Sequence, residues 1–290
     1  TYYDMVEDLT AFAKKYNPDF HVCYNKGHVG YLDKPVIKDY SYFSFESLPG
    51  VEWGYLDFPV SAKYMRNFGK ECLGLTSRFH TEWGDFHAFR NEAAMEYEVF
   101  SMLSHGCKCT IGDQMDYWGK LNKDMYQQIG RVYKSVEEKE PWCENAKPVS
   151  EIGVFTAEEF YATGVAGQIP GASEGVARLL MEYGYQFDFI DSTSDFGKYR
   201  LLILPDVIPV DEILGRKLSA YINAGGKLLA SYQSGLDKDH QKFMISELAV
   251  KYLGDAPYSP DFIWPKEHLA KGLADAEHVM YDKGTLVEAT

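Results

Sequence analysis

Apolar residues recur along the first half of the chain at spacings that alternate between the helical and the strand period. Met5, Leu9, Phe12 and Ala13 recur at helical spacing, which predicts a helix from Asp4 to Tyr16. The same pattern predicts strands at residues 20–24, 72–76 and 108–111, helices at 59–70, 91–105 and 124–138, and a long loop at 29–57. Strands that alternate with helices indicate a parallel sheet covered by helices.

A second alternating block follows a linker that we predict between Pro141 and Pro148. The block contains predicted strands at residues 151–155, 187–190, 199–204 and 227–231 and predicted helices at 173–183 and 211–224. The segment from Leu201 to Leu204 is apolar throughout, which is typical of a parallel strand covered on both faces. We therefore predict two domains, residues 1–147 and 148–290, of which the second is a doubly wound α/β domain.

The first block is too short for a closed (β/α)8 barrel, which needs eight strands and about 250 residues. Its three predicted β/α units would form the C-terminal portion of such a TIM-like barrel. The chain also opens at Thr1 directly with a helix that has no obvious partner in the sequence. Both observations lead us to expect a fragment of a longer protein.

The charge of the chain narrows the range of partners. Its formal net charge is −14 and its pI is about 5.0, whereas nucleic acids and anionic membranes are bound by basic surfaces. No apolar run approaches the roughly 18 residues that a membrane span needs. We therefore expect neither nucleic acid nor membrane as a partner. The 15% of aromatic residues suits core packing and, equally, a neutral sugar whose C–H face stacks on aromatic rings.

The cysteines and glycines argue against a bound metal or cofactor. The five cysteines match no zinc or redox spacing, and free thiols suit a reducing compartment, so a cytoplasmic location is expected. No glycine-rich dinucleotide loop follows a strand, and no Walker sequence occurs. We expect no cofactor and no metal site.

Polar and aromatic residues follow each predicted strand of the first block, where parallel α/β folds place reactive groups. These residues are Asn25, Lys26, His28, Glu46, Glu52, Trp53 and Tyr55 after the first strand, Arg78, His80, Glu82, Trp83 and Asp85 after the second, and Asp113 and Gln114 after the third. Glycoside hydrolysis needs such a mixture, because one carboxyl group protonates the leaving oxygen and a second attacks or activates water. Aromatic rings would support the sugar, and amide or guanidinium groups would bind its hydroxyls.

Several motifs in order resemble a family of glycoside hydrolases related to the α-L-fucosidases of families 29 and 151. The motifs are FESLP at 45–49, WGY at 53–55, RFH at 78–80, WGDF at 83–86, IGDQ at 111–114 and EPW at 140–142. The second block, from Glu151 to Thr290, resembles the β-galactosidase trimerisation domain, which has a class I glutamine-amidotransferase-like fold. Its signature is LPD at 204–206 followed by YINAGGKL at 221–228. Cysteine is missing from this block, as in a non-catalytic version of that fold.

The resemblance implies a retaining exo-glycosidase, most simply an α-L-fucosidase. Its aspartate nucleophile would lie on the fourth barrel strand, upstream of Thr1, so the fragment alone is expected to be inactive. Glu46, in the loop after the presumed sixth strand, is the leading candidate for the acid/base, and Glu82 is the rival. The residues expected to bind substrate or orient the carboxyl groups are Asn25, His28, Trp53, Tyr55, Arg78, His80, Trp83, Asp85, Asp113 and Gln114.

Two other functions stay open at this point. The trimerisation-like block would also fit an oligomerisation and sugar-binding module without activity, and it predicts a homo-oligomer, either a trimer or a dimer. A β-galactosidase-like activity is the third reading, because that domain accompanies β-galactosidases. Domain analogy by itself does not identify a substrate.

Overall fold

In a computed structural model of the protein, described for residues 1–51, 53–80, 83, 85, 87–161 and 167–290, the chain forms two compact units. The units are Thr1–Asp195 and Phe196–Thr290. The domain boundary predicted between residues 147 and 148 stays a prediction, since family domains and compact units need not divide a chain at the same residue.

The first unit contains a three-stranded parallel sheet. Its strands are β1 (Phe43–Glu46), β2 (Cys72–Ser77) and β3 (Lys108–Gly112), in that order across the sheet. The register pairs Phe43 with Cys72 and Leu73 with Lys108, and both pairings are parallel. The strands predicted at 72–76 and 108–111 are therefore confirmed.

The strand predicted at residues 20–24 is wrong, and the sheet strand lies instead within the predicted loop, at β1. The two segments run beside each other, because the Ser41 amide donates to the Val22 carbonyl at 2.8 Å and the Glu46 amide to the Gly27 carbonyl at 2.9 Å. These bonds are too widely spaced along the chain to make a regular ladder. In β1 only Phe43 and Phe45 point into the core, which leaves a short alternation that is easily missed in a sequence.

The helices of the first unit are α1 (Tyr2–Tyr16), α2 (Asp57–Met65), α3 (Glu92–Ser104), α4 (Lys123–Glu137), α5 (Glu140–Cys143), α6 (Glu158–Tyr161) and α7 (Gly171–Glu182). Side chains cap the first turns of α1, α3 and α4. The Asn91 side chain caps α3 by accepting from the Ala93 amide, and the Asn122 side chain caps α4 in the same way. Behind β3, a buried cluster on α3 and α4 that includes Met95, Val99 and Val132 forms the local core.

Helix α2 is buried on every side, because it lies between two sets of strands. All nine residues are buried, including Asp57, Ser61 and Lys63. The helix contacts β1 and β2 and also β5 (Phe187–Ile190), a strand that pairs in parallel with β4 (Ile152–Phe155). A helix surrounded in this way must find partners for its polar groups inside the protein.

The second unit combines a parallel pair with short antiparallel pairs. Strands β6 (Leu201–Leu204) and β7 (Lys227–Ala230) are parallel and are connected through α8 (Glu212–Asn223). The antiparallel pairs are β8 (Val250–Asp255) with β11 (Thr285–Ala289), and β9 (Asp261–Ile263) with β10 (His278–Met280). The sequence pattern did not predict these last four strands. The chain is an α/β protein with parallel sheets, which confirms the predicted fold class at this level.

The second of the two glycines after α8, Gly226, is required by an aromatic ring. A Cβ added to Gly226 would lie 2.2 Å from the Tyr221 ring, so no larger residue fits there without a shift. The Tyr221 hydroxyl donates to the carbonyl of Lys227 at 3.2 Å, which ties the end of the helix to β7. Part of the AGGK motif thus has a packing role.

Candidate active site

The carboxyl ends of the three strands in the first unit bring polar residues to one edge of the sheet. The register pairs Glu46 with Leu75 and Ser77 with Gly112, so the strands end side by side. Neighbouring strands lie about 4.8 Å apart, and the residues that end β1 and follow β2 and β3 therefore form one row. We call this row the carboxyl edge.

Glu46 is the last residue of β1 and not part of a loop, which corrects its predicted location. Its side chain is half-buried, and burial raises the pKa of the Glu46 carboxyl above its ordinary value. Among the residues that the structure describes, none donates a hydrogen bond to this carboxylate. A carboxyl group that is fixed by a strand, partly desolvated and not engaged elsewhere can keep a proton to a higher pH and donate it to a ligand.

Arg78 and Asp113 bind each other at the carboxyl edge. The Arg78 Nε donates to Asp113 Oδ1, its Nη1 donates to the carbonyl of Ala88 at 3.2 Å, and the guanidinium lies 4.5 Å from the centre of the Phe79 ring. The hydroxyl of Tyr126, on α4, also reaches Asp113; burial and this carboxylate raise the pKa of Tyr126. The Arg78 side chain is almost fully buried, so in this structure its charge serves to hold the ends of β2 and β3 together.

A second buried ion pair lies behind the end of β2, and sequence reasoning missed it. The Arg90 guanidinium pairs with Glu98 and donates to Thr76 Oγ1 at 2.6 Å and to the Ser77 carbonyl at 3.1 Å. Both charged side chains are buried. An arginine and a glutamate eight positions apart carry no recognisable signal, because their meeting depends on how α3 packs on β2.

Trp83 covers the end of β3. Its ring meets Phe79 edge-on with centroids 5.4 Å apart, and a Cβ added to Gly112 would lie 2.5 Å from the indole. His80 is exposed, and its carbonyl would lie 2.7 Å from a Cβ at Gly50, so the loops after β1 and β2 approach closely. The aromatic residues after β2 thus reach the neighbourhood of the carboxyl edge.

His28 is a buried residue and makes its contacts within the protein. Its Nε2 lies 2.9 Å from Glu158 Oε1, and its Nδ1 lies 2.8 Å from the Ser61 hydroxyl. Burial by itself lowers the pKa of this imidazole, but the Glu158 carboxylate, with Asp57 and Asp33, raises the pKa of His28 overall. His28 is therefore buried and engaged by other protein groups. Of the two candidates in this segment, only Asn25 is exposed.

Trp53 and Tyr55 line a pocket that is distinct from the carboxyl edge. The pocket has a volume of about 620 Å³ and is lined by Trp53, Gly54, Tyr55, Leu56, Gly167, Ile169, Glu174, Arg178, Met181 and Glu182. The Trp53 indole packs on Gly167, whose amide donates to Asp57 Oδ2 at 2.8 Å. Glu46 is not among the residues that line this pocket. We place the candidate active site at the carboxyl edge, because burial raises the pKa of the Glu46 carboxyl group there. Of the two carboxyl groups that line the pocket, Glu182 is paired with Arg178 at 2.8 Å and Glu174 is exposed.

The loop after β3 carries aromatic residues that the sequence analysis left out. Tyr117 and Trp118 are 81% and 72% exposed, and they follow Asp113 and the exposed Gln114. The signal that could have found them is their position after a predicted strand, at the same edge as the other candidates.

Several candidates stay predictions. Glu82, the rival acid, and Glu52 lie outside the described residues, and Asp85 is half-buried. Within the described ranges, no group of three or more His, Cys, Asp or Glu side chains is arranged to hold a metal ion. No helix in the part of the chain that the structure describes is long and apolar enough to cross a membrane.

Comparisons with known proteins agree with the motifs. Residues 178–252 match the family model of the β-galactosidase trimerisation domain. The whole chain is similar to α-L-fucosidase isoenzyme 2 from Paenibacillus thiaminolyticus, with 34% identity and a TM-score of 0.92 over 100% of this chain and 44% of that one. The predicted resemblance to fucosidase-related glycosidases and to a trimerisation domain is therefore confirmed.

More distant relatives are β-galactosidases. The structure of the enzyme from Rahnella sp. R3 has 15% identity and a TM-score of 0.76 over 98% of this chain and 49% of that one, which indicates a shared fold. The β-galactosidase GanA of Bacillus subtilis (strain 168) is 22% identical over 188 residues, or 61% of this chain and 28% of the relative. This chain spans less than half the length of each relative named here.

Proposed function

We propose that the protein acts as a retaining exo-glycosidase of the α-L-fucosidase type, with Glu46 as its general acid/base. The observation that carries this proposal is the Glu46 carboxyl group itself. It ends a parallel strand, is half-buried without a described hydrogen-bond partner, and has a raised pKa caused by burial. The similarity over the full chain to an α-L-fucosidase supports this choice of sugar.

The raised pKa matches what the first chemical step demands. The acid must still hold its proton when it meets the glycosidic oxygen, and it gives that proton to the oxygen as the C–O bond breaks. In a retaining mechanism a second carboxylate, about 5 Å from the first, attacks the sugar and forms a covalent intermediate. Glu46, now ionised, then takes a proton from the water that releases the sugar.

The fold proposed for this function is the one that the motifs imply. The strands β1 to β3 and their helices would be the C-terminal portion of a (β/α)8 barrel, and residues 148–290 a non-catalytic, amidotransferase-like domain. Support comes from the parallel register of the sheet and from the trimerisation-domain match. We further propose a homo-trimer, which light scattering of the intact protein would reveal as three times the mass of the chain.

The other candidate residues divide into two proposed roles. Asn25, His80, Trp83, Asp85 and Gln114 would contact sugar hydroxyls or the sugar ring from loops at the carboxyl edge, with Trp53 and Tyr55 farther out. The buried residues His28, Arg78 and Asp113 would position the loops and not touch the substrate, because their charged groups bind other protein groups.

The test uses the full-length protein with Glu46→Gln and, as a control, the exposed Glu137→Gln on α4. On a fucosyl disaccharide, whose leaving group needs a proton, we expect Glu46→Gln to lower kcat by about 10² to 10⁴. On nitrophenyl fucoside, whose leaving group needs less protonation, the loss of kcat should be smaller. Added azide should restore the turnover of Glu46→Gln, with fucosyl azide as the product. Normal activity of Glu46→Gln on both substrates would exclude Glu46 as the acid.

A β-galactosidase-like activity is the second candidate, favoured by the β-galactosidase folds among the relatives. Nitrophenyl galactoside in the same assay distinguishes the two sugars. A protein that hydrolyses neither glycoside, but forms a trimer and binds saccharides, would instead be an assembly module.

A further inference from the structure

Two exposed aromatic rings stand on the loop between β3 and α4. The centroids of the Tyr117 and Trp118 rings are 4.9 Å apart with an angle of 46° between their planes. Both rings are largely in solvent, although aromatic surface is costly to leave exposed. Neither ring is used by the mechanism proposed above.

The loop holds the rings in a fixed turn. Asp116 Oδ1 accepts the amide of Trp118 at 2.9 Å and that of Lys120 at 3.1 Å, and the Asp116 carbonyl accepts the amide of Gly119 at 2.9 Å. Gly119 has a φ of +66°, in the left-handed region that favours glycine. The rings are therefore presented by a hydrogen-bonded turn, which reduces the ordering needed when a ligand binds.

Both ends of the loop are anchored. At its start, Asp113 accepts the Gln114 amide at 2.7 Å and is paired with Arg78 at the carboxyl edge. At its end, the Asn122 side chain caps α4. Since β1 and β3 are separated by one strand, the loop begins about 10 Å from the strand that ends in Glu46.

We propose that Tyr117 and Trp118 form a subsite for the saccharide on the leaving-group side of the scissile bond. This inference rests on the proposed glycosidase function and names the part of the substrate that the site would recognise. The inclined pair offers ring faces to the apolar C–H face of a pyranose, and Asp116 and Lys120 supply polar groups beside it for hydroxyls.

A saccharide suits this surface better than a protein does. Two aromatic side chains offer about 300–500 Å² of buriable surface, whereas a standard protein interface buries about 800 Å² on each partner. Met115 and Leu121 extend the apolar surface at the ends of the loop, but charged and amide groups interrupt it at Asp116, Lys120 and Asn122.

The test compares substrates with and without a leaving-group sugar. Full-length protein carrying Trp118→Ala or Tyr117→Ala is assayed on the trisaccharide 2′-fucosyllactose and on fucosyl fluoride, whose leaving group is a single atom. We expect the ratio of kcat/KM for the trisaccharide to kcat/KM for the fluoride to fall roughly 3- to 10-fold in each variant. Trp142→Ala, at an 85% exposed tryptophan on α5, is the matched control and should keep the wild-type ratio.

The outcomes separate this proposal from the one on which it rests. If the ratio of the two kcat/KM values is unchanged in both variants, the proposed subsite is overturned. It is also overturned if Trp118→Ala keeps the wild-type ratio but changes the oligomeric mass, because the surface would then be a subunit interface. If the wild-type protein hydrolyses neither substrate, the fucosidase proposal fails. Calorimetric titration with 2′-fucosyllactose then tests whether the two rings bind the saccharide. Equal affinity of the wild type and Trp118→Ala overturns the subsite, whereas a 3- to 10-fold lower affinity of Trp118→Ala supports it.

Discussion

The imidazole of His28 and the carboxylate of Glu158 form a buried pair, with Nε2 2.9 Å from Oε1 and side chains only 5% and 6% exposed. A Cβ at Gly30 would lie 2.2 Å from Glu158 Oε2, so glycine at this position makes room for the pair. The pair joins the segment beside β1 to α6. It thereby fixes the chain that leads into the carboxyl edge.

Because the folded-state pKa of His28 is raised, the stability from this pair should depend on pH. The stabilisation is complete below the unfolded pKa of about 6.5 and is lost as the pH rises through the raised value. We expect Glu158→Gln to lower the free energy of unfolding by about 3 kcal/mol at pH 6 and by less at pH 9, measured by urea denaturation. The control is Glu71→Gln in the exposed Lys108–Glu71 pair, with an effect below about 1 kcal/mol. A loss that is equal at both pH values would mean that His28 carries no charge in the pair.

The Arg78–Asp113 pair should be energetically coupled, because both groups are largely buried. Replacing Asp113 alone with Leu removes the carboxylate that is paired with the buried Arg78 guanidinium, and it should cost about 3–5 kcal/mol of unfolding free energy. The double variant Arg78→Met with Asp113→Leu should lose less than the sum of the two single changes. Strict additivity in this cycle would argue that the side chains act independently.

Lys63 on the buried helix α2 is expected to destabilise the protein at neutral pH. Burial, assisted by the nearby Arg66, lowers the pKa of Lys63 to about 8. Its ammonium donates to the Phe187 carbonyl at 3.4 Å and lies 4.2 Å from the Phe187 ring, contacts that only partly offset the loss of water. Lys63→Met should therefore raise the free energy of unfolding by about 2 kcal/mol at pH 7.

The pH dependence of that gain is the sharper test. Between pH 8 and about 10.5 only the unfolded wild-type chain binds the Lys63 proton, so wild-type stability rises and the advantage of methionine shrinks. Lys134→Met, at an exposed lysine, should change little at any pH. A methionine advantage that stays constant up to pH 10 would contradict the lowered pKa.

The raised pKa of Glu46 should appear in the rate profile of the full-length protein. If Glu46 is the acid, kcat falls at alkaline pH because the Glu46 carboxyl group loses its proton. Since burial raises the pKa of Glu46, the midpoint of this fall should lie above the pKa of about 4.3 of an ordinary glutamate. With nitrophenyl fucoside, Glu46→Gln should flatten that limb. An unchanged limb in the variant would assign it to another group.

Much of the fold followed from short-range patterns. The helices α3 and α4 and the strands β2 and β3 were predictable, because each has a regular apolar period and clear boundary residues such as Asn91. The strand β1 was not predictable, since only Phe43 and Phe45 mark it and its backbone partner lies in a later segment, Cys72 to Leu75. The apolar run at residues 20–24 is longer, and for this reason the strand was wrongly predicted there.

The candidate site shows the same division. Its position at the ends of parallel strands followed from topology, and so did Glu46 as a candidate acid. The pairing of Arg78 with Asp113 and the enclosure of His28 by Glu158 did not follow, because a side chain's partner depends on distant segments meeting in space. Exposed polar residues and buried paired ones look alike in a sequence.

The sequence by itself therefore determined the alternation of helices and strands, the parallel sheet, the acidic surface and the resemblance to fucosidase-related glycosidases. These depend on local periodicity, on composition and on contiguous motifs such as FESLP at 45–49. Only the tertiary structure decided that Glu46 is half-buried without a described partner, whereas Arg78, Asp113 and His28 are engaged in buried ion pairs. Burial and ion pairing are properties of packed surfaces, and packing sets both the pKa of a carboxyl group and whether a charge can reach a ligand.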